Sequence, residues 1–275
     1  MPRRSERDRA PPRTYHLYIR KKRVARIFQT DILFRCGGKQ KKEEIMTYEG
    51  ILSELGAMKD EKYRQFNERI VNIPAGSSIG VRTPLLRAYG KELVRREDFS
   101  LDELLRFPGG VFEVRLLKCF CVGYKKMPFA EKRVYIERCL PFIDGWAVCD
   151  LFCSTLKEAK RHREELLPLL RACVEEGSEY YQRFAYVMLL GCYMEREYLP
   201  EIFSLLEKAH TQFYYTHMGA AWLIAEVLVK FYGEGVRYLQ TSALDAKTLN
   251  KAVQKARESY RLTEEQKNSL KSLKK

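Results

Sequence analysis

An amphipathic segment early in the chain reads Val81-Arg82-Thr83-Pro84-Leu85-Leu86-Arg87-Ala88-Tyr89-Gly90-Lys91-Glu92-Leu93. Its apolar residues stand at positions 81, 85, 86, 89 and 93, the spacing that places them on one face of an α-helix. Similar segments follow to the end of the chain, and none alternates as a strand does over more than a few residues. The pattern therefore predicts an all-α protein.

The predicted helices come in close succession. Ser100 followed by Glu103 is a capping-box pattern that opens one short helix. The others are predicted at residues 111–124, 129–140, 144–159, 164–174, 180–194, 199–208, 213–231 and 247–260, with a last one from Thr263 onward. Two neighbouring helices take about 30–40 residues, the period of antiparallel helix pairs that stack into a curved solenoid. An irregular helical bundle is the alternative.

The charge of the chain is large but uneven. The formal net charge is +14, of which residues 1–45 carry +9 and the remaining 230 residues carry +5. A strongly basic protein favours a polyanionic partner such as nucleic acid or an anionic membrane surface. Because the part predicted to fold is only mildly basic, the total charge overstates this argument.

Cysteine usage indicates the compartment. The chain has eight cysteines, with no C-x-x-C pair and no zinc-finger spacing to histidine. Most of them lie in apolar helical segments, where a free thiol packs as a small hydrophobe. We expect reduced thiols, no bound metal and a cytoplasmic protein. No apolar run approaches the roughly 18–20 residues that a membrane-spanning helix needs.

Residues 1–45 differ from the rest of the chain, because they are rich in arginine and proline and lack helical periodicity. The peptide Lys-Glu-Glu-Ile-Met at residues 42–46 is what a purine-rich ribosome-binding sequence followed by a start codon encodes. We therefore expect residues 1–45 to be a disordered basic leader upstream of a true start at Met46. A basic arm that grips phosphates and a folded element are the alternatives.

Two tryptophans carry the functional signal. Trp146 and Asp150 are four residues apart, so a helix places the indole and the carboxylate on one face. An aromatic plane beside a carboxylate suits a site for a flat or cationic group. A core tryptophan with a locally paired aspartate is the plainer alternative, and large aromatic residues at helical spacing more often pack. Trp222 lies in a second apolar helical segment.

Several segments together resemble the AlkD-like family of DNA alkylation repair proteins. They are Gly80 to Arg87, Asp144 to Asp150, Arg183 to Leu190, Met218 to Trp222 and Leu249 to Ser259. The resemblance covers residues 46–275 and implies one domain, a superhelix of HEAT-like helical repeats. Active members of the family are glycosylases that remove cationic alkylpurines from DNA and need no metal or cofactor. We accordingly expect a monomer that binds double-stranded, alkylated DNA and does not bind a membrane.

The resemblance also implies roles for single residues. Asp150 matches the catalytic aspartate, and Trp146 and Trp222 match the two tryptophans that frame the lesion-bearing nucleotide. Arg183 falls near an arginine of the family's groove. Active members carry an arginine three residues after the second tryptophan, where this chain has Ala225. That departure bears on catalysis rather than on the fold.

Basic side chains are expected to line the DNA-binding groove. These are Arg82, Arg87, Arg115, Lys118, Arg183, Lys247, Lys251 and Lys255. The three lysines from 247 to 255 are spaced by four residues, so they form one stripe on a helix that can follow a phosphate backbone. A solvated helix face is the alternative for each lysine taken singly.

Three functions remain open from the sequence. The chain is an alkylpurine DNA glycosylase, a non-catalytic binder of damaged or distorted DNA on the same scaffold, or a helical-repeat scaffold for protein interactions. Ala225 favours the second function, and the mild charge of the folded part favours the third.

Overall fold

The structure, a computed structural model of the chain, describes residues 46–274. The expectation for residues 1–45 falls outside the described residues. The α-helices of the described range are α1 Tyr48–Ala57, α2 Glu61–Val71, α3 Thr83–Leu93, α4 Leu101–Arg106, α5 Phe112–Tyr124, α6 Phe129–Cys139, α7 Trp146–Cys153, α8 Arg163–Glu176, α9 Glu179–Cys192, α10 Leu199–Leu206, α11 Tyr214–Lys230, α12 Tyr232–Thr241, α13 Ala246–Arg257 and α14 Glu264–Ser272. In residues 46–274 the only β-type pairing is an isolated antiparallel bridge between Lys59 and Val81.

From α3 onward the helices form two layers. The odd-numbered helices α3, α5, α7, α9, α11 and α13 pack on one another in chain order, and we call them the first layer. They begin at residues 83, 112, 146, 179, 214 and 246, so one helix pair repeats every 29–35 residues. The even-numbered helices from α4 to α14 form the second layer, and most of them pack on a neighbouring first-layer helix. The prediction of an all-α fold built from helix pairs is confirmed, while the superhelical sweep of the array stays a prediction.

The first layer is held between its neighbours, which explains why its helices are apolar on most sides. Helix α5 is buried without a break from Phe112 to Val122. At its start the buried Glu113 carboxylate accepts hydrogen bonds from the backbone N–H groups of Ile79 at 2.9 Å, Gly80 at 2.8 Å and Val81 at 3.1 Å. This carboxylate therefore fixes the loop that enters α3.

Gly80 in that loop has φ +96°, a conformation that favours glycine. A Cβ atom there would lie 2.7 Å from the backbone oxygen of Asp60, so no other residue fits without a shift. The glycine thus sets the close approach of the loop to the start of α2.

Basic side chains of neighbouring repeats cap the carboxyl ends of first-layer helices. Lys125 donates to the Val94 carbonyl at 3.4 Å, after the end of α3. Arg163 donates through Nε to the Cys192 carbonyl at 2.6 Å, and Lys230 donates to the Met194 carbonyl. These cations satisfy carbonyls that have no partner within their own helix and complement the helix dipole. Successive repeats are therefore linked by polar contacts as well as by apolar packing.

The structure differs most from the predicted helices at the end of α7 and at α12. The helix expected at 144–159 ends at Cys153 and is followed by a 3₁₀ turn, Lys157–Arg161. Here the Thr155 hydroxyl donates to the Phe152 carbonyl at 2.7 Å, a side-chain contact that competes with helix hydrogen bonding. Helix α12 was not predicted, because two glycines near its start weaken the helical signal. Gly235 is needed there, since a Cβ atom would lie 2.9 Å from the Leu228 Cα of α11.

No helix among residues 46–274 is long and apolar enough to cross a membrane.

Candidate functional site

Three successive first-layer helices meet at a carboxylate–guanidinium pair. Asp150 of α7 accepts two hydrogen bonds from Arg183 of α9, from Nε to Oδ1 at 3.0 Å and from Nη2 to Oδ2 at 2.8 Å. The remaining guanidinium nitrogen, Nη1, donates to the backbone carbonyl of Tyr215 on α11 at 3.2 Å. This side-on fork is the strong form of the arginine–carboxylate contact. The orientation of Asp150 is thus fixed by α9, and α9 is registered against α11.

The two members of the pair differ in exposure. The Asp150 side chain is 22% exposed, whereas the Arg183 side chain is 7% exposed. Burial disfavours the charged form of Arg183, but its hydrogen bonds with Asp150 and the negative charge of that group outweigh burial, so the pKa of Arg183 is raised. Arg183 is therefore charged, and its guanidinium is more deeply buried than the Asp150 carboxylate in front of it.

Aromatic rings extend the site at the start of α9 and α11. The Arg183 guanidinium lies 5.9 Å from the centre of the Tyr215 ring, and that ring stacks on Tyr180 at 5.6 Å. Tyr214 beside them is 48% exposed. The site therefore has an aromatic border on the α9–α11 side.

The two tryptophans lie on the helices to either side of α9. Trp146 is the first residue of α7, after the extended N-cap Gly145, and is partly buried against the core. Trp222 is partly buried on α11, seven residues after Tyr215, so both residues lie on the same face of that helix. The structure thus joins Asp150 and Arg183 by direct contact and places one tryptophan on each flanking helix.

The predicted lysine stripe lies on the next first-layer helix, α13. Burial lowers the pKa of Lys255, the charge of Lys251 lowers it further, Glu258 opposes this, and Arg183 adds a smaller lowering effect. Lys255 therefore lies within electrostatic range of Arg183. The prediction that Lys247, Lys251 and Lys255 contact DNA stays a prediction.

His217 of α11 makes a structural contact with the next helix of the first layer, α13. Its Nδ1 lies 2.8 Å from the Thr248 hydroxyl of α13, and that hydroxyl donates to the Asp245 carboxylate at 2.7 Å. The hydroxyl proton is directed at Asp245, so the Nδ1 of His217 donates to Thr248. This buried chain of hydrogen bonds registers α11 against α13.

Two of the basic residues that were predicted to line the DNA-binding groove are buried instead. Lys118 is fully buried, donates to the Leu105 carbonyl at 3.1 Å and lies 3.8 Å from the centre of the Phe142 ring. Burial lowers its pKa to about 8. Arg115 is also buried, donates to the Gly109 and Gly110 carbonyls and pairs with Asp144 at 3.1 Å. The prediction that Lys118 and Arg115 line the groove is wrong, because both side chains are buried and bind partners within the protein.

Arg82 and Arg87 remain accessible but have intramolecular partners. Arg82 is 56% exposed and its Nη2 lies 2.8 Å from an Asp60 oxygen. Arg87 of α3 donates to the Tyr124 hydroxyl at 3.0 Å and to the Ser154 hydroxyl at 2.7 Å. Arg87 thereby ties α3 and α5 to the end of α7, close in sequence to Asp150.

A further ion pair was not predicted from the sequence. Ala225 is buried, whereas the next residue, Glu226, faces solvent one helical turn after Trp222. Glu226 binds the guanidinium of Arg261, which lies between α13 and α14. An arginine at 225 would have to enter the core, so the exposed face of α11 takes its cation from another segment. No sequence rule links residues 35 positions apart, and only the structure reveals this pair.

A separate groove among residues 46–274 does not include these residues. A groove of about 610 Å³ lies on the second layer between α10 and α12, lined by apolar residues such as Leu199 and Phe203 and by Arg196 and Arg237. Within residues 46–274, no three His, Cys, Asp or Glu side chains are grouped as a metal site requires.

The stacked helix pairs define a helical-repeat protein, in which the Asp150 carboxylate is backed by the buried Arg183 guanidinium and one tryptophan lies on each helix flanking α9. The sequence profile of the DNA alkylation repair enzyme family matches residues 51–259, which is most of the chain. The chain belongs to that family. Its role is therefore in DNA repair, with DNA as its partner. A search of curated proteins found no match.

Proposed function

We propose that the chain is a DNA glycosylase that excises purines carrying a positive charge from alkylation of a ring nitrogen. Such a base is already a good leaving group, so its departure needs little acid catalysis. The barrier lies in the sugar, which becomes an oxocarbenium-like cation as the glycosidic bond breaks. A carboxylate aimed at that cation stabilises the transition state more than the ground state.

The observation that carries this proposal is the partly exposed carboxylate of Asp150, held by two hydrogen bonds from Arg183. At about 4 Å and an effective dielectric of about 20, a carboxylate and a cation attract by roughly 4 kcal/mol. The guanidinium, about 4 Å farther away, offsets roughly half of this. The net stabilisation of about 2 kcal/mol corresponds to about 30-fold in rate. A carboxylate in this position also orients the attacking water.

The tryptophans supply contact rather than chemistry. Trp146 and Trp222, on either side of α9, pack their π faces against the deoxyribose and the cationic base, with about 1–2 kcal/mol from each. The stripe of Lys247, Lys251 and Lys255 on α13 grips the phosphate backbone. These roles predict that Trp222→Ala weakens both lesion recognition and turnover.

The test is release of free base from DNA treated with a methylating agent, with the full chain as enzyme and chromatography of the supernatant as readout. Time-dependent release of methylated purines above the spontaneous rate supports the proposal. Release at the spontaneous rate, from folded protein that retains DNA, contradicts it.

One observation favours a second function, a binder of damaged DNA that leaves the glycosidic bond intact. Both oxygens of Asp150 are already hydrogen-bonded to Arg183, and Ala225 stands where the resemblance implies an arginine. A binder of this kind shows DNA affinity that falls steeply with salt and prefers alkylated duplex, without base release. The same protein sample serves for both measurements.

A further inference from the structure

The exposed face of α11 carries a second carboxylate one turn beyond Trp222. Glu226 follows Trp222 by four residues, so the two side chains lie on one face, about 6 Å apart along the helix axis. Both are partly exposed. Any duplex that places a nucleotide against Trp222 therefore has its backbone close to Glu226, a group that by itself repels phosphate.

The positive charge of Arg261 offsets the negative charge of Glu226. Its Nη2 donates to both oxygens of Glu226, at 2.7 Å and 2.8 Å. Within the described residues neither Nε nor Nη1 of Arg261 takes part in a hydrogen bond to protein. The guanidinium is thus held end-on by one nitrogen, with its other donors toward solvent. Tyr260 beside it is fully exposed, so the connector between α13 and α14 is open to a partner.

A second ion pair of similar exposure, Arg171–Glu201, has a different hydrogen-bond geometry. Arg171 of α8 and Glu201 of α10 are 51% and 27% exposed, while Arg261 and Glu226 are 59% and 28% exposed. Arg171 uses Nε and Nη2 together, side-on, at 2.7 Å and 2.9 Å. Its fork is therefore filled by one carboxylate. Arg261, at the same exposure, keeps its fork available for a second anion, and a planar fork matches a phosphate group.

We propose that Arg261, held in place by Glu226, binds a backbone phosphate of the DNA one or two nucleotides from the nucleotide that contacts Trp222. The separation of about 6 Å along α11 corresponds to roughly two base steps of 3.4 Å. The proposal rests on the DNA-binding half of the proposed function and does not require base excision. Arg261 lies beyond the stretch matched by the family profile, residues 51–259, so the family match does not assign it.

The surrounding charges support an anion at this place. Lys251 and Lys255 add positive charge to α13, the helix that precedes Arg261 in the chain, and the charge of Lys251 lowers the pKa of Lys255 after the larger effect of its burial. The acidic groups Asp150 and Glu226 are each bound to an arginine.

The test measures binding of the full chain to a duplex with fluorescein at one end, by anisotropy, between about 50 and 200 mM NaCl. Arg261→Ala is compared with Arg171→Ala, the matched pair on the second layer. For Arg261→Ala we expect affinity to fall by about fivefold to tenfold and the slope of log K against log salt to fall by about 0.9, the value for one lost phosphate contact. For Arg171→Ala we expect both to match wild type. Equal slopes for Arg261→Ala and wild type overturn the proposal.

Two further variants separate positioning from simple charge. Arg261→Lys keeps the charge but loses the fork, so we expect the slope of wild type with a weaker affinity. In a Glu226→Gln background, the effect of Arg261→Ala should shrink, because the guanidinium is no longer held. A larger effect in that background overturns the positioning by Glu226, since it shows that the carboxylate only competes with phosphate for Arg261.

Base release in the same samples keeps this proposal apart from the glycosylase. Absence of release with the slope difference intact contradicts the glycosylase and leaves the phosphate contact standing. Release of base together with equal salt slopes for Arg261→Ala and wild type supports the glycosylase and contradicts the phosphate contact. A wild-type protein without salt-dependent DNA binding overturns the phosphate contact.

Discussion

Replacing Asp150 by asparagine, with and without the Arg183 guanidinium, probes the candidate site most directly. Asparagine keeps the size of the side chain and one acceptor but removes the negative charge. The buried Arg183 then remains as an unpaired cation facing the sugar. A second change, Arg183→Met, removes that cation at similar volume.

The structure sets the size of each effect. Loss of the carboxylate removes its whole attraction of about 4 kcal/mol for a cation at about 4 Å, so Asp150→Asn should slow base release by about a thousandfold. In the double variant the repulsion from Arg183 is also gone, about 2 kcal/mol. The double variant should therefore be about 30-fold faster than Asp150→Asn and about 30-fold slower than wild type.

The assay is single-turnover release of methylated purine from an alkylated duplex, with enzyme in excess, so that the measured rate reports chemistry rather than product release. Urea unfolding of each variant accompanies it. Asp150→Asn leaves a guanidinium that is 7% exposed without its counter-charge, which should cost about 3 kcal/mol of unfolding free energy, and the double variant should recover most of this.

The order of the three rates decides the argument. A double variant no faster than Asp150→Asn refutes the electrostatic role assigned to the pair. Asp150→Asn with the rate of wild type removes Asp150 from the mechanism altogether.

Three further predictions concern stability. Burial, and to a smaller extent the charge of Lys247, lower the pKa of His217, so below about pH 6.5 the native state binds fewer protons than the unfolded state. The unfolding free energy of wild type, measured by urea titration, should therefore fall from pH 7 to pH 5. In His217→Gln it should change less over the same range. Gly235→Ala should cost about 1–3 kcal/mol, because its Cβ meets the Leu228 backbone at 2.9 Å, whereas Gly191→Ala, with nothing within 4 Å, should be neutral or stabilising in thermal unfolding. Burial lowers the pKa of Lys118 to about 8, so the unfolding free energy of wild type should rise relative to Lys118→Met between about pH 8 and pH 10. DNA affinity at pH 7 should be the same in both proteins. Weaker DNA binding by Lys118→Met would show that this lysine contacts DNA after all.

The helical architecture was accessible from sequence because each first-layer helix has a long apolar face at 3.6-residue spacing. The start of α5 at residue 112, against a prediction of 111, shows how well that signal fixes a boundary where the flanking residues are turn formers. Helix α12 was missed because it has two glycines near its start, of which Gly235 is required by close packing on α11, a tertiary requirement that local propensity does not express.

The candidate site was accessible only in part. The spacing of Trp146 and Asp150 fixes their common face within one helix, and the structure has both on α7. The partner of Asp150 comes from 33 residues away, beyond the reach of any helical spacing rule. A signal was present nonetheless, because an arginine in the apolar run that contains Phe184 needs a buried counter-charge.

The errors at Arg115 and Lys118 have the same origin. Both lie in the run from Phe112 to Val122, which is buried on every side. A basic residue in such a run has to satisfy its donors inside the protein, as these two do with main-chain carbonyls and Asp144. Surrounding composition was therefore the better guide to their location than their charge.

Asp150, Arg183 and Tyr215 come from three consecutive members of a linear array. Extra helix pairs joined at either terminus leave these three residues in register, whereas a pair inserted between α7 and α11 pulls them apart. Growth of such a chain by added repeats is thereby confined to its flanks, where it lengthens the array and leaves the contacts among these three residues unchanged.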